Sequence, residues 1–207
     1  MAESSAKQPV QLSSSPAFAM EWLMPRIKDF QSKYPDIPLM LNPTSKVVDL
    51  KPGGFDLAIR YTDKRKPGTP VTAVLTSDMV VVAAPSLLCT HEIDDPAVLV
   101  EMPWLQELGT NEVADWLGYR GVKLKRPLMI HQMPGNLIMQ AVRRGDGITY
   151  TARAFFESEI RSGQMKVLFS EPAFGTYYIV TSPGPMRASV KAVVSWLKQQ
   201  TRDDPSA

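Results

Sequence analysis

The sequence predicts an α/β fold, because strand-like and helix-like segments alternate along most of its 207 residues. Hydrophobic residues make up 44% of the chain and charged residues 21%, which suits a folded domain with a sizeable core. Near the start, three serines and a proline separate the strand-like VQLSS from an amphipathic run. This pattern predicts a strand-to-helix turn with Ser15 as helix N-cap and Pro16 as the first helical residue.

The first third of the chain predicts three strands and two helices. The first helix follows the serine turn and is expected to kink at Pro25. A second, short helix is expected in TSKVVDLKPGG, closed by its glycines. The strands are expected at 10–14, 36–42 and 55–61.

The rest of the chain continues the alternation. The β-branched run at 71–84 is broken by Ser77-Asp78, which predicts two consecutive strands. In PGNLIMQAVRRGDG, Leu137, Ile138, Ala141 and Val142 share one helical face, and Gly145 or Gly147 ends the helix. Further helices are expected at 85–90, 111–119, 152–163 and 186–200, and further strands at 103–108, 126–132, 148–151, 164–170 and 175–182.

Charge and residue usage argue against several classes of function. The net charge of +2 is modest, and the densest basic run, TDKRKPG, is too short to form the basic surface of a nucleic-acid-binding domain. Cys89 is the only cysteine, and with His91 and His131 it gives no zinc-ligand spacing. We therefore predict no metal and no cofactor.

Membrane insertion and catalysis are not predicted either. The sequence has no secretory signal and no run of about 18 apolar residues, which predicts a cytoplasmic protein without a membrane partner. It also lacks a Gly-x-Ser-x-Gly elbow, a P-loop and a His-Glu-x-x-His motif, so we expect no catalytic residues and no enzyme activity.

Three stretches together resemble the effector-binding domain of LysR-type transcriptional regulators. They are SSSPAFAMEWLMPRIKDFQSKYPDIPLML, VVDLKPGGFDLAIRY and GDGITYTARAFFESEIRSGQMKVLF. Each motif is weak alone, but their order and spacing match the family over nearly the whole chain. The family's N-terminal winged helix-turn-helix is not present in the sequence, so any DNA contact is expected only through that missing domain.

The resemblance implies two Rossmann-like subdomains joined by two crossover strands, as in type 2 periplasmic binding proteins. Subdomain I is expected at 8–83 plus 182–207 and subdomain II at 84–181, with 1–7 as a flexible linker remnant. It also implies a homodimer, or a tetramer in the full-length protein, paired head to tail through the first helix. Trp22 and Phe30 are candidates for that interface, whereas Trp104, Trp116 and Trp196 are expected in the core.

The candidate ligand-binding residues lie where strands end, because ligands of open α/β sheets collect at the carboxyl ends of strands. The family's effector contacts fall at the same places. The candidates are Ser13, Ser14, Ser15, Asn42, Thr44, Arg60, Tyr61, Thr62, His131, Gln132, Met133, Thr149 and Tyr150.

The expected roles differ among these residues. Ser14, Ser15 and Thr44 would bind an anionic or polar group near a helix N-terminus, although serines in such a turn also serve as simple caps. Arg60 would pair either with a ligand carboxylate or with Asp56 or Asp63 of the chain itself. Met133 and Tyr150 would form apolar wall, while His131 and Gln132 have surface or structural roles as alternatives.

The resemblance thus implies a sensor of a small, anionic or polar effector. The effector would bind in the cleft between the two lobes, favour one width of that cleft and so act allosterically on a DNA-binding domain. The alternative is a solute-binding protein of the same fold that serves a transporter, which would require an export signal.

Overall fold

The computed structural model describes residues 8–51, 53–63, 72–88 and 93–202. Within these ranges the strands are β1 Val10–Ser14, β2 Leu39–Pro43, β3 Leu57–Asp63, β4 Thr72–Ala83, β5 Trp104–Glu107, β6 Ile130–Met133, β7 Thr149–Ala152 and β8 Lys166–Thr181. The α-helices are α1 Pro16–Phe18, α2 Ile27–Lys33, α3 Glu112–Tyr119, α4 Gly135–Arg144, α5 Glu157–Arg161 and α6 Ala188–Arg202. Short 3-10 segments occur at Met24–Arg26, Pro85–Leu87, Pro96–Glu101 and Arg153–Phe155.

The chain forms two compact units. The first contains the described residues up to Ser77 and from Ala173 onward, and the second is Asp78–Pro172. The chain therefore passes between the units twice, once within β4 and once within β8. The sequence predicts these crossings at the prolines that follow the two strands, near residues 84 and 182. In the structure the two compact units divide earlier in the chain, within β4 and β8. Residues 1–7 lie outside the described ranges.

The sheet of the first unit has the strand order β2-β1-β3-β8, with β4 beside β8. Strand β1 is parallel to both β2 and β3, and β8 is antiparallel to β3. Ser13 is in register with Asn42 on one side and with Ala58 on the other. The carboxyl ends of β1, β2 and β3 therefore meet at one edge of this sheet.

The serine turn folds as the sequence predicts. Ser15 has an extended backbone and caps α1 by accepting a hydrogen bond from the Phe18 N–H, and Pro16 follows it. The helix then passes through a π-helical turn, Ala19–Leu23, and a 3-10 turn that contains Pro25 before it continues as α2. The break at Pro25 is expected, because proline has no backbone N–H to donate and its ring clashes with the preceding turn of a regular helix.

Trp22 and Phe30 lie in the core of the first unit and do not form an exposed interface. Their exposed fractions are 2% and 1%. The Phe18 ring stacks on Trp22 at 4.9 Å between centroids and on Tyr177 at 5.1 Å. Aromatic packing of this kind buries large areas and fixes the helix against the sheet, so the interface prediction for these two side chains is wrong.

The second unit is built from two strand pairs. Strand β4 is antiparallel to β7, and β5 is parallel to β6. Trp104 and Trp116 are buried in its core, with 6.0 Å between their ring centroids. Trp196 is buried in the first unit against Phe30. The prediction that these three tryptophans are core residues is confirmed.

Three local predictions are wrong. The described residues after β2 contain no helix in the TSKVVDLKPGG stretch. Strand β4 continues through Ser77-Asp78 without a turn. These polar residues lie where the chain crosses from the first unit to the second. Strand β8 likewise runs without interruption through Pro172 and Ala173, and Ala173 accommodates the passage with a left-handed φ of 45°.

Helix α4 differs from its predicted face at one residue. Ile138, Ala141 and Val142 are buried, but Leu137 is 47% exposed. Gly145 ends the helix with φ 80°, as a left-handed cap. None of the helices within the described ranges is long and apolar enough to cross a membrane.

Candidate functional site

The strand ends of the first unit bring several predicted residues together. Ser13 and Ser14 end β1, Asn42 lies beside Ser13 on β2, and Thr44 follows β2 directly. The Thr44 N–H donates to the Ser14 carbonyl at 2.8 Å, which joins the two strand ends. The sequence prediction that these residues share one edge of a sheet is confirmed.

Ser13 and Arg60 lie on the same face of this sheet. Ser13 is in register with Ala58, and side chains alternate along a strand, so Ala58 and Arg60 face the same side as Ser13. The Ser13 side chain is fully buried, and its hydroxyl has no hydrogen-bond partner among the described residues. The buried Nη2 of Arg60 also has none within these ranges. Buried polar groups without partners are unfavourable, so this face is suited to receive an acceptor.

The Arg60 guanidinium is a partly buried cation. Burial lowers the pKa of Arg60, and the electrostatic interaction with Tyr178 raises it by a smaller amount. Its hydrogen bond within the described ranges runs from Nη1 to the Ile59 carbonyl at 3.4 Å. A carboxylate would supply both the missing charge and the missing acceptors.

The alternative that Arg60 forms an internal ion pair is not what the structure shows. Asp56 pairs with Arg187 at 2.8 Å and also accepts a hydrogen bond from the Gln11 N–H. Arg60 makes no ion pair with Asp56 or Asp63 in the part of the chain that is described. The pairing of Arg60 with a ligand carboxylate stays a prediction.

The other hydroxyls at this edge already serve the turn. Ser14 Oγ donates to the Ser15 carbonyl at 3.3 Å, and Ser15 Oγ accepts from the Phe18 N–H. Thr44 Oγ1 accepts from the Lys46 N–H at 3.2 Å. These side chains hold the shape of the strand ends, and Ser13 is the serine whose hydroxyl is uncommitted within the described ranges.

Tyr61 and Thr62 are placed differently from one another. Tyr61 faces the side of the sheet opposite to Arg60, and its ring lies 5.2 Å from Tyr177. It is 38% exposed. Thr62 is half-buried and shares the face of Arg60 by strand alternation.

In the second unit the predicted residues separate into a surface group and a core group. His131 and Gln132 on β6 are exposed, and Met133 is half-buried. Thr149 and Tyr150 are buried, and Thr149 Oγ1 donates to the Leu105 carbonyl at 2.8 Å. The Tyr150 ring packs 5.8 Å from Trp116. Thr149 thus makes a structural hydrogen bond and the Tyr150 ring packs in the core, while a ligand contact of either residue stays a prediction.

Two carboxyl groups that the sequence did not indicate lie at the end of β5. Glu107 Oε1 is buried without a hydrogen-bond partner among the described residues, although the carboxylate accepts from the N–H groups of Gly135 and Leu108. Burial raises the pKa of Glu107 despite those hydrogen bonds. Glu112 accepts a hydrogen bond from the Glu107 N–H, and burial raises its pKa to about 7. The available sequence signal was two acids flanking a predicted helix start.

A cavity of about 380 Å³ lies in the second unit, along β6 and α4. His131 and Met133 are among its lining residues. The described residues hold no group of three or more His, Cys, Asp or Glu side chains that is placed to bind a metal ion.

Comparison with known proteins gives the family. The model of the LysR substrate binding domain matches residues 3–202. The AhcY transcriptional activator HvrB of Rhodobacter capsulatus is 33% identical over 188 residues, which cover 89% of this chain and 64% of that protein. The HTH-type transcriptional activator AmpR of Pseudomonas aeruginosa is 27% identical over 78% of this chain and 55% of its own length. The chain thus spans less than two thirds of the length of these relatives.

Solved structures give the same fold. The effector domain of AmpR from Pseudomonas aeruginosa matches with a TM-score of 0.71 and 22% identity, covering 95% of this chain and 96% of that one. The regulatory domain of CrgA, a LysR-type transcriptional regulator from Neisseria meningitidis, matches with a TM-score of 0.78 and 17% identity, covering 94% and 99%. The fold is that of the periplasmic-binding-protein-like effector domains, and the chain belongs to the LysR substrate-binding domain family.

Proposed function

We propose that this chain senses a small carboxylate effector for a LysR-type transcriptional regulator, and that Arg60 and Ser13 bind the carboxylate. The observation that carries this proposal is the partly buried Arg60 guanidinium, which has no acidic partner in the described part of the chain. Ser13 adds a buried, uncommitted hydroxyl on the same sheet face. An arginine and a hydroxyl on one sheet face are a suitable combination for carboxylate recognition.

The surroundings favour a small ligand with one anionic end. The site lies at the carboxyl ends of parallel strands, where ligands of α/β sheets bind. Thr62 is the neighbouring predicted residue on the same face, and it offers a second hydroxyl. That the effector also contacts the second unit, and that it shifts a balance between two conformations acting on a DNA-binding domain, stay predictions.

A regulatory role fits the relatives better than catalysis or transport. The similar proteins named above are transcriptional activators, and similar solved chains are effector or regulatory domains. The candidate site offers a guanidinium and hydroxyls and no paired nucleophile and base. We therefore place a non-enzymatic sensor first and the solute-binding alternative second.

Thermal shift measurements test the carboxylate site. A panel of amino acids, organic acids and aromatic carboxylates is expected to contain a ligand that raises the Tm of the chain. Arg60→Met is expected to lower the affinity for that ligand by roughly 10- to 100-fold, because a charge-assisted hydrogen bond contributes about 1.5–3 kcal/mol. Without ligand, the Arg60→Met variant is expected to unfold at the same Tm or higher, because the substitution removes a partly buried cation that has no acidic partner among the described residues.

Arg187→Met is the matched control. Arg187 is an ion-paired arginine of the same unit, so its loss is expected to lower the Tm while the ligand-induced shift persists. A ligand that binds Arg60→Met and the unchanged protein equally would refute the role of Arg60. Failure of the whole panel to shift the Tm would remove the support for a carboxylate effector.

We also propose that the parent regulator is a homodimer, as the family resemblance implies. Met20 and Met24 lie one turn apart in the first helical run and are 36% and 50% exposed. Apolar side chains at this spacing form a continuous stripe that suits a helix contact. Light scattering of the chain is expected to give twice the monomer mass at micromolar concentration, and the double variant Met20→Glu, Met24→Glu to give the monomer mass.

A further inference from the structure

A cluster of polar contacts in the first unit lies at the amino ends of β1 and β3, at the opposite end of these strands from Arg60. The Asp56 N–H donates to the Gln11 carbonyl at 3.0 Å, and the Asp56 carboxylate accepts from the Gln11 N–H at 2.9 Å. The Asp56 carbonyl accepts from the Ser182 N–H at 3.0 Å. Gln11 lies in β1, Asp56 directly precedes β3 and Ser182 directly follows β8. Asp56 therefore joins the ends of three strands of one sheet.

Arg187 connects this cluster to the residues that precede β1. Its Nη2 donates to Asp56 Oδ2 at 2.8 Å and to the Pro9 carbonyl at 3.2 Å, and its Nη1 donates to the Gln8 carbonyl at 3.4 Å. The side chains of Arg187 and Asp56 are 28% and 19% exposed, so salt screens this ion pair less than a surface pair. A planar guanidinium that holds a carboxylate and two carbonyls fixes the backbone before β1 to the base of β3.

The proposed carboxylate site lies further along the same two strands. Ser13 follows Gln11 by two residues in β1, and Arg60 follows Asp56 by four residues in β3. Between these positions β1 and β3 are parallel neighbours in the sheet. Paired strands are rigid elements, and rigid elements joined by hydrogen bonds can carry coupling between two places in a protein. A change at Arg60 therefore has a direct structural connection to Asp56.

We propose that Asp56 and Arg187 form an anchor that transmits the occupancy of the Arg60 site to the residues before β1. This inference rests on the proposed function, since it requires a carboxylate at Arg60. The carboxylate shifts Arg60 and the paired strands, and Arg187 carries the shift to the carbonyls of Gln8 and Pro9. The family resemblance implies a winged helix-turn-helix before this domain, so these carbonyls lie on the side from which it would be joined.

Acetate is the probe for the test, and the readout is the ¹H–¹⁵N NMR spectrum of the 207-residue chain. Sodium chloride at equal ionic strength is the reference. Acetate is expected to shift the amide signals of Ser13 and Arg60, here called the site group. Through the anchor it is also expected to shift those of Gln8, Val10 and Gln11, the anchor group. Both groups are expected to follow one binding curve, because one occupied site moves them both.

Three variants separate the anchor from direct binding and from a general loss of stability. Arg60→Met is expected to abolish the shifts of both groups, whereas acetate bound directly to Arg187 would still shift the anchor group. Arg187→Met is expected to keep the shifts of the site group and to lose those of the anchor group. Asp29→Asn removes a carboxylate that joins α2 to α6 in the same unit, so it is expected to lower the Tm and to keep both groups of shifts.

Circular dichroism checks that each variant is folded. If Arg187→Met is not, Arg187→Lys takes its place, because lysine keeps the charge but lacks the planar fork, and it is expected to reduce the shifts of the anchor group. Equal shifts of the anchor group in the Arg187 variant and the unchanged chain would overturn the proposal, as would shifts of the site group alone in the unchanged chain. If the site group does not respond to acetate at all, the carboxylate site is refuted and the anchor proposal with it, a result distinct from failure of the anchor alone.

Discussion

At the scale of single residues, the ionisation of Glu112 is expected to make stability depend on pH. Its pKa is about 7 in the folded chain and 4.5 as an ordinary glutamate, mainly because burial disfavours its charged form. The folded state therefore holds the proton more tightly than the unfolded state. The stability that this provides is complete below about pH 4.5 and is lost as the pH rises through about 7, with an upper limit of about 3 kcal/mol.

Glu112→Gln keeps the shape of the side chain and removes this titration. We expect the variant and the unchanged chain to have similar free energies of unfolding at pH 5, and the variant to be more stable at pH 8. Urea unfolding at a series of pH values measures the difference. Asp94→Asn, which changes an exposed carboxyl in the same unit, is the control and is expected to leave the pH profile unchanged. Parallel profiles for Glu112→Gln and the unchanged chain would contradict the prediction.

Residue roles were predictable from the sequence where local chemistry determines them. Ser15 caps its helix because a serine before a proline has a local partner, the N–H three residues on. The partners of Arg60 depend instead on where Asp56 and Arg187 meet, and these two residues are far apart in the sequence. The burial of Thr149 depends in the same way on the distant Leu105 carbonyl. Contacts of this kind leave no local sequence pattern.

At the scale of elements, Gly147 lies where there is no room for a larger side chain. From the sequence it was only one of two glycines predicted to end the helix. Gly145 ends α4, while Gly147 lies where a Cβ would come 2.7 Å from the Pro103 carbonyl oxygen and 2.9 Å from Leu105 Cγ. Gly147→Ala is therefore expected to lower the free energy of unfolding by about 2 kcal/mol, as overpacking does.

Gly118→Ala is the matched substitution. Gly118 lies in α3, and a Cβ there would meet nothing within 4 Å. Alanine stabilises a helix relative to glycine, so we expect a gain of about 0.5 kcal/mol. Urea unfolding of both variants checks the pair, and equal effects of the two substitutions would show that the close approach at Gly147 is relieved by movement of its neighbours.

Element boundaries were predictable where periodicity and capping agree, as in α4 and α6. They were not predictable where one strand serves both units. Polar residues within β4 and a proline within β8 normally signal a turn, but here they lie where the chain passes from one compact unit to the other. Leu137 was predicted to share the helical face of Ile138, Ala141 and Val142, but its side chain is 47% exposed and borders the cavity.

At the scale of the whole molecule, the two units have different chain connectivity. The second unit is one continuous segment, Asp78–Pro172, and the first is formed by segments on either side of it. In the first unit β3 pairs with the end of β8, so this pairing must close a loop that contains the entire second unit. Loop closure of this length is entropically unfavourable and slows formation of the pairing.

This connectivity predicts that the second unit folds without the first. It contains its own core, with Trp104, Trp116 and Phe156 each less than 2% exposed, and its own strand pairs β4–β7 and β5–β6. A peptide of residues 78–172 is expected to unfold cooperatively in urea, with the fluorescence of its two tryptophans changing in one transition, whereas a peptide of residues 1–77 is expected to lack one because β8 is missing. The Gly147→Ala substitution is then expected to destabilise the 78–172 peptide by the same amount as the full chain, since every atom it meets lies in that segment. A peptide 78–172 without a cooperative transition would show that this unit depends on the first for its stability.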